Sequence, residues 1–377
     1  MQDVAADVSA TETKKATGAA MSRCARFRRV DARSQRGSLV DVSRRAGVST
    51  ATASRVLNGS AHPVSATTRE RVMEAARDLG YSPSALARAL VTRRTRIIGV
   101  IVGDVVDPYF AEITRGVEDV AGRAGYLTIV CNADRRPAVE RQYLNVLRDY
   151  NAEGAVFAGS GLVSIDEPLC ESVGLARRQG MHVVALAPRS FEGGSVTVDN
   201  RAAAYDIVDH LASLGHRRIA FVAGPADLVS ARQRLEGFHA ALAAHSLAPG
   251  PLYEGDFSYA AGQAAALRLL SERPLPDAVA CANDEMAIGV LMGLRGAGVE
   301  VPATISVAGI GDTRPGRFLE LTTVSVPTYE LGASAARRII ADRGDEMDVH
   351  EVLPHRLVPR ATSAVRPARP AVLYRRP

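Results

Sequence analysis

Arg55, Thr50 and Ala51 lie within one turn and a half of each other, and all three have chemistry suited to the edges of DNA bases. The guanidinium of Arg55 is a planar fork of donors that matches guanine O6 and N7, a contact worth about 1–3 kcal/mol of discrimination. Thr50 offers a hydroxyl and a methyl, whereas Ala51 can only meet a thymine methyl. Around them, Ser49, Thr52, Ser54, Asn58 and His62 carry short polar groups of the kind that hold phosphates and set register. Nothing in the chain points to bond-making chemistry. It has no GxxxxGK phosphate loop, no HExxH, no GxSxG and no metal-spaced histidines, and the GxG at 309–311 lacks a third glycine. Neither enzymatic activity nor a cofactor is expected.

The elements that must position these groups are readable nearby. Ser38 and Asp41 have capping-box spacing for a first helix. Gly47 supplies a tight turn, and Ser49 caps a second helix over Thr50–Leu57. A third helix is expected to open at Thr67, with Glu70 three residues on, and to close at Leu79-Gly80. Leu39, Val42, Ala46, Val48, Ala53, Val56, Leu57, Val72, Ala76 and Leu79 fall on inward faces, enough for a small three-helix core. Thr50, Ala51 and Arg55 then share an outward face. In a helix-turn-helix such a face enters the major groove, N-terminal end first. A plain helical bundle with a solvated Arg fits the same spacing.

Charge supports a polyanionic partner for the head. The net +5 of this 377-residue chain hides 18 Lys/Arg against 8 Asp/Glu in residues 1–96, and 28 against 33 in the remainder. A basic head on a mildly acidic body suits DNA, although a basic tail without a partner gives the same count. Cys24, Cys131, Cys170 and Cys281 are scattered and read as reduced thiols. No run of 18 apolar residues implies a membrane span, and the first 35 residues have no apolar signal core, so a cytoplasmic location is expected.

From Ile97 the pattern changes. Strand-like runs at 97–102, 127–131, 154–158, 182–186, 218–222, 278–282 and 305–310 alternate with amphipathic stretches such as 111–125, 139–150, 202–214, 231–244 and 260–270. Continuous β-branched runs spaced by helices imply parallel sheets covered on both faces. About ten such units exceed one comfortable sheet, so the fold expected is an α/β core of two doubly wound lobes with a cleft between them. The domains expected are a disordered extension over 1–37, an all-α helix-turn-helix head over 38–82, a linker over 83–96, a core over 97–363 and a tail over 364–377. Within the core, the first lobe takes about 97–197 and 325–345, and the second about 198–324 and 346–363.

The run DVSRRAGVSTATASRVLNG, followed by VSATTRERVMEAARDLGYSPSALARAL, resembles the N-terminal signature of the LacI/GalR repressors, and the likeness continues more loosely to about Ser363. The resemblance implies a homodimer that binds double-stranded operator DNA, with a periplasmic-binding-protein-like core and a small-molecule effector in the cleft. It places Leu90 as a minor-groove wedge, with Ala87 and Arg88 beside it. It places Tyr109 and Phe110 toward the cleft after a cap at Asp107, Arg234 on the ligand, Phe257 stacked on it, and Asn283 and Asp284 at a strand end nearby. Alternatives stay open: Arg234 pairing with Glu236 or Asp256, Phe257 as core, and Asp284 as a helix cap. Two positions depart from the family pattern. Gly311 and the Ala187-Pro188-Arg189 turn stand where sugar-responsive members carry acidic acceptors. Either another acceptor such as Asp104 takes over, or the ligand is not a simple sugar. A ligand with an anionic group would suit Arg234 and Arg189.

Overall fold

The computed structural model describes residues 37–58, 62–82, 94–341 and 348–366, and the chain divides into two units, one up to Arg93 and one from Arg94. In the first unit, α1 (Leu39–Ala46), α2 (Thr50–Leu57) and α3 (Ala66–Asp78) pack around Val42, Ala46, Ala53, Val56, Val72, Ala75 and Ala76. The Ser38–Asp41 capping box is complete: Asp41 N–H donates to Ser38 Oγ at 3.2 Å and Ser38 N–H to Asp41 Oδ2 at 2.9 Å. Gly47 ends α1 with φ +63°, a left-handed conformation that costs any residue with a Cβ roughly 1–2 kcal/mol. Arg71, on α3, seals the turn by donating to Ala46 O, which orients α1 and α2 relative to each other. The third helix starts earlier than expected. Ser65, not Thr67, is the cap, because its hydroxyl accepts from Thr68 N–H.

The second unit holds two six-stranded sheets. The first is built from β1 (Ile97–Val102), β2 (Leu127–Asn132), β3 (Gly154–Phe157), β4 (His182–Ala185), β5 (Gly194–Val198) and β11 (His350–Leu353), in the order β11-β5-β4-β3-β1-β2. The second comprises β6 (Ile219–Ala223), β7 (Leu252–Glu254), β8 (Ala278–Cys281), β9 (Ser306–Gly311), β10 (Thr322–Ser325) and β12 (Arg356–Val358), in the order β12-β10-β9-β8-β6-β7. Among the described strands only β12 runs antiparallel to its neighbour. The helices are α4 (Pro108–Arg123), α5 (Pro137–Asp149), α6 (Glu167–Arg178), α7 (Asn200–Ser213), α8 (Val229–Ala244), α9 (Tyr259–Leu269), α10 (Asp284–Gly296), α11 (Arg314–Phe318) and α12 (Thr328–Ala341).

The lobe boundary near the C-terminus needs correction. The sequence places residues 346–363 whole in the second lobe, yet β11 pairs in parallel with β5 of the first sheet. The last crossing therefore falls between Leu353 and Arg356. Placed before it, α12 lies against α4 so closely that a Cβ on Gly116 would sit 2.1 Å from Tyr329 O. Strand β5 and the edge strands β7, β11 and β12 carry no clear sequence signal, being three to five residues long. Among the described residues no helix is long and apolar enough to cross a membrane.

Candidate functional site

On the head, α2 buries Ala53 and Val56 and leaves Thr50, Ala51 and Arg55 exposed on the other side. Ser49 caps the helix by accepting from Thr52 N–H at 3.1 Å, and the two hydroxyls lie 2.9 Å apart. Asn58 donates its amide to Ser54 Oγ at 3.1 Å, which closes the C-terminal turn, and His62 is exposed. The Ser49 and Ser54 hydroxyls thus serve the helix first, yet each keeps acceptor or donor capacity for an outside partner. Ala87, Arg88 and Leu90 lie outside the described residues.

In the core, the strand ends of both sheets meet at a cleft lined from both lobes. The lobes touch across it. Val229 N–H donates to Gly161 O at 3.0 Å, Val163 N–H to Asp227 O at 2.7 Å, and Ser230 N–H to Ser160 Oγ at 3.1 Å. These three bonds form a clasp beside the cleft.

Arg234, on α8, is the central polar group. Burial lowers its pKa from the ordinary value, with Tyr109, Asp284 and Asp107 opposing that fall. Its Nε donates to Asn200 Oδ1 at 3.0 Å and its Nη1 to Ala282 O at 2.5 Å. Neither Glu236 nor Asp256 is its partner: Glu236 pairs with Arg232, and Asp256 accepts from Ser258. Among the described residues no carboxylate lies within ion-pair distance of Arg234, and none of the hydrogen bonds uses Nη2. Phe257 sits with its ring 6.0 Å from the guanidinium carbon. Its φ is +70°, and its ring occupies the space a Cβ on Gly224 would fill. Asn283 holds this arrangement by donating to Phe257 O at 2.9 Å while capping α10.

Asp284 is not the cap. Fully buried, it accepts from Thr323 Oγ1 at 2.6 Å and Thr313 N–H at 2.7 Å, tying α10 to β10 and to the turn after β9. Burial pushes its carboxyl up to about 6, against the pull of those bonds. Glu285 is raised by burial and by Asp107 and Asp284, and its Oε1 is buried with no hydrogen-bond partner. Asp107 caps α4 through Tyr109 N–H at 3.0 Å and faces Arg135 at 3.5 Å; burial raises its pKa as well. Tyr109 and Phe110 pack edge to face at 5.3 Å, both on the cleft wall.

Two expectations fail here. Asp104 is not part of the cleft lining; its carboxylate accepts Val106 N–H at 3.1 Å and shapes the loop after β1. Arg189 does line the cleft, but its charge is already matched. Nη1 and Nη2 reach Glu140 at 2.6 and 2.9 Å, and Nε donates to Gly159 O at 3.0 Å. With side chains only 4% and 6% exposed, the pair is a closed unit rather than an anion receptor. Sequence reasoning missed Glu140, Arg135, Asn200, Ser160 and Ser230. Arg135 and Asn200 follow β2 and β5 closely, and strand ends are where such lining residues are found.

A three-helix head whose second helix exposes one face, followed by a two-lobed core with a cleft between the lobes, is the build of a ligand-responsive DNA-binding regulator. Residues 38–84 match bacterial regulatory proteins of the lacI family, and residues 208–363 match a periplasmic binding protein-like domain. The chain is 34% identical over 330 residues to catabolite control protein A of Priestia megaterium, spanning 85% of this chain and 97% of that one. It is 36% identical over 301 residues to the transcriptional repressor CytR of Escherichia coli strain K12, spanning 78% and 86%. The lac repressor dimer, solved bound to operator and the anti-inducer ONPF, superposes with a TM-score of 0.77 at 28% identity over 87% of this chain and 99% of that one. The chain belongs to the lacI family of transcriptional regulators.

Proposed function

We propose that the chain is a cytoplasmic repressor that binds operator DNA as a homodimer. In this reading a sugar-like or other small metabolite, held between the lobes and not turned over, modulates its affinity for the operator. α2 lies in the major groove, where Arg55, Thr50 and Ala51 read bases while Ser49, Thr52, Ser54, Asn58 and His62 hold backbone. Ala87, Arg88 and Leu90 serve the hinge, with Leu90 as the wedge that unstacks one step at the operator centre. Tyr109, Phe110, Arg189, Arg234, Phe257, Asn283 and Asp284 form walls of the effector cleft; Asp104 is left out.

The observation that carries the effector reading is Arg234. A buried guanidinium without a counter-ion is costly unless something completes its hydrogen bonding. Its unused Nη2, on a guanidinium whose carbon lies 6.0 Å from the Phe257 ring in the cleft lining, suits an oxygen-bearing ligand. Such a ligand changes operator affinity only by binding two lobe arrangements unequally. The experiment is selection of duplexes from a random pool by the purified full chain at moderate salt. The reading expects a two-fold-related pair of half-sites; recovery of no sequence over random competitor would refute it.

A further inference from the structure

The three-helix head is only weakly basic for a surface that meets DNA. Residues 37–82 hold six arginines against Asp41, Glu70, Glu74 and Asp78, a surplus of two. Three of the six have partners within the head. Arg44 pairs with Asp41 at 3.1 Å, Arg45 pairs with Asp78 at 2.6 Å, and Arg71 donates to Ala46 O. Just ahead of the head, residues 22–36 hold Arg23, Arg26, Arg28, Arg29, Arg33 and Arg36 against Asp31 alone, a surplus of five in fifteen residues. This segment precedes the lacI-family match, which begins at residue 38.

The head fixes the point from which that segment departs. Gly37 is seated against the end of α3: its N–H donates to Leu79 O at 3.3 Å, and a Cβ on it would lie 2.8 Å from Leu79 Cβ. The next residue, Ser38, caps α1. In a helix-turn-helix the first helix crosses the DNA backbone while the second enters the major groove. Residues up to Arg36 therefore join the head at the element that lies over the phosphates. Fifteen residues span at most about 50 Å when extended. Duplex DNA carries one negative charge per roughly 1.7 Å of axis, so all six arginines are within reach of phosphates on the same duplex.

We propose that residues 22–36 act as a second DNA-binding site, an arginine arm that grips phosphates of the duplex held by the head. This rests on the reading of the head as DNA-binding and adds a contact ahead of it. Blocks of like charge this dense repel one another, and basic blocks of this kind serve as arms on nucleic acid. Arg suits phosphate because its planar fork of donors bonds two oxygens at once. Labour divides along the charge count. α2 supplies base contacts, and the arm supplies the sequence-independent attraction that a head with a surplus of two lacks. The chain's own core is a poorer partner. Residues 97–377 hold 28 Lys/Arg against 33 Asp/Glu, a surplus of five acids spread over 281 residues.

The test is the salt dependence of duplex binding by the full chain. Dissociation constants for the selected duplex and for a random one are measured between about 50 and 300 mM salt. The wild type is compared with a variant combining Arg23→Gln, Arg26→Gln, Arg28→Gln, Arg29→Gln, Arg33→Gln and Arg36→Gln, and with the same six positions changed to Lys. Each phosphate contact contributes about 0.9 to the slope of log affinity against log salt. The proposal expects the Gln variant's slope to be shallower by about 3 or more per dimer, its affinity loss greatest at low salt and vanishing as salt rises. Binding to the random duplex falls in parallel, because phosphate contacts carry no sequence information. The Lys variant keeps most of the wild-type slope. An unchanged slope in the Gln variant, or a Lys variant as shallow as the Gln one, would overturn the proposal and leave the reading of the head in place. Tighter binding by the Gln variant would overturn it by assigning the arm to the acidic core. A loss confined to the selected duplex would overturn it by assigning the arm to base edges. A wild type with no preference for any duplex would overturn the reading of the head itself.

Discussion

Asp284 makes a sharp prediction because its environment pulls in two directions. Three hydrogen bonds from Thr313 and Thr323 favour the carboxylate, yet complete burial outweighs them and raises the pKa from the ordinary 3.8 to about 6. A folded-state pKa above the unfolded one means the folded state holds more protons between the two values, so stability falls as pH rises through that window. The size is set by the interval, at 1.36 kcal/mol per pH unit, or roughly 3 kcal/mol for this group. Asp284→Asn removes the charge and preserves the shape. Its amide oxygen still accepts from Thr313, and its amide nitrogen donates to Thr323 Oγ1. Other carboxyls contribute to the pH dependence of both proteins. Asp107 and Glu285 act with the same sign, Asp41 and Asp256 with the opposite one, so the informative quantity is the difference between variant and wild type. Urea unfolding would be followed by tyrosine fluorescence, since the chain has no Trp, at intervals from pH 4 to 7.5. The variant should gain on wild type by roughly 3 kcal/mol between about pH 4 and 7. A difference that stays flat would refute the reasoning, showing that the threonine bonds, not burial, govern Asp284.

Further outcomes follow from local geometry. Gly116→Ala drives a Cβ into Tyr329 O and should destabilise the core by about 1–3 kcal/mol, seen as a lowered unfolding temperature, with no change in the head. An unaltered transition would mean α4 and α12 separate freely. Arg55→Ala should relax preference at one base pair per half-site, by about 1–3 kcal/mol against the wrong base, while the other positions keep theirs; competition with singly substituted duplexes reads this out, and an unchanged profile assigns Arg55 to the backbone. Ser160→Ala removes one bond of the lobe clasp and should weaken cleft ligands about fivefold, for roughly 1 kcal/mol, leaving ligand-free duplex binding alone. Equal affinities would show that the clasp does not belong to the ligand-bound arrangement.

Local signals were legible in the sequence. The Ser38–Asp41 box, the Gly47 turn and the Ser49 cap depend on residues within four positions of each other, and each is formed. Spacing alone does not separate Ser65 from Thr67 as the cap of α3, since both are hydroxyl residues at its start, and only the Ser65 hydroxyl 3.3 Å from the Thr68 nitrogen decides between them. Long apolar strands such as β1 announced themselves, whereas β11 has only four residues, alternating exposed and half-buried at the sheet edge. The cleft was harder. That Arg189 is spent on Glu140, 49 residues away, or that Arg234 leans on Asn200, 34 residues away, follows from tertiary packing that no spacing encodes. The missing acidic acceptors at Gly311 and Arg189 were visible in the sequence, but the balance of charge around them was not.

In the proposed function, occupancy of the cleft changes how tightly the head holds DNA. The direct measurement is the dissociation constant for the selected duplex, with and without a saturating cleft ligand, in the wild type and in Arg234→Met. The prediction is a change of about 5–150-fold in the wild type that collapses toward unity in the variant, whose ligand-free affinity is kept. An identical constant with and without ligand in the wild type, for a ligand proven to occupy the cleft, would contradict it.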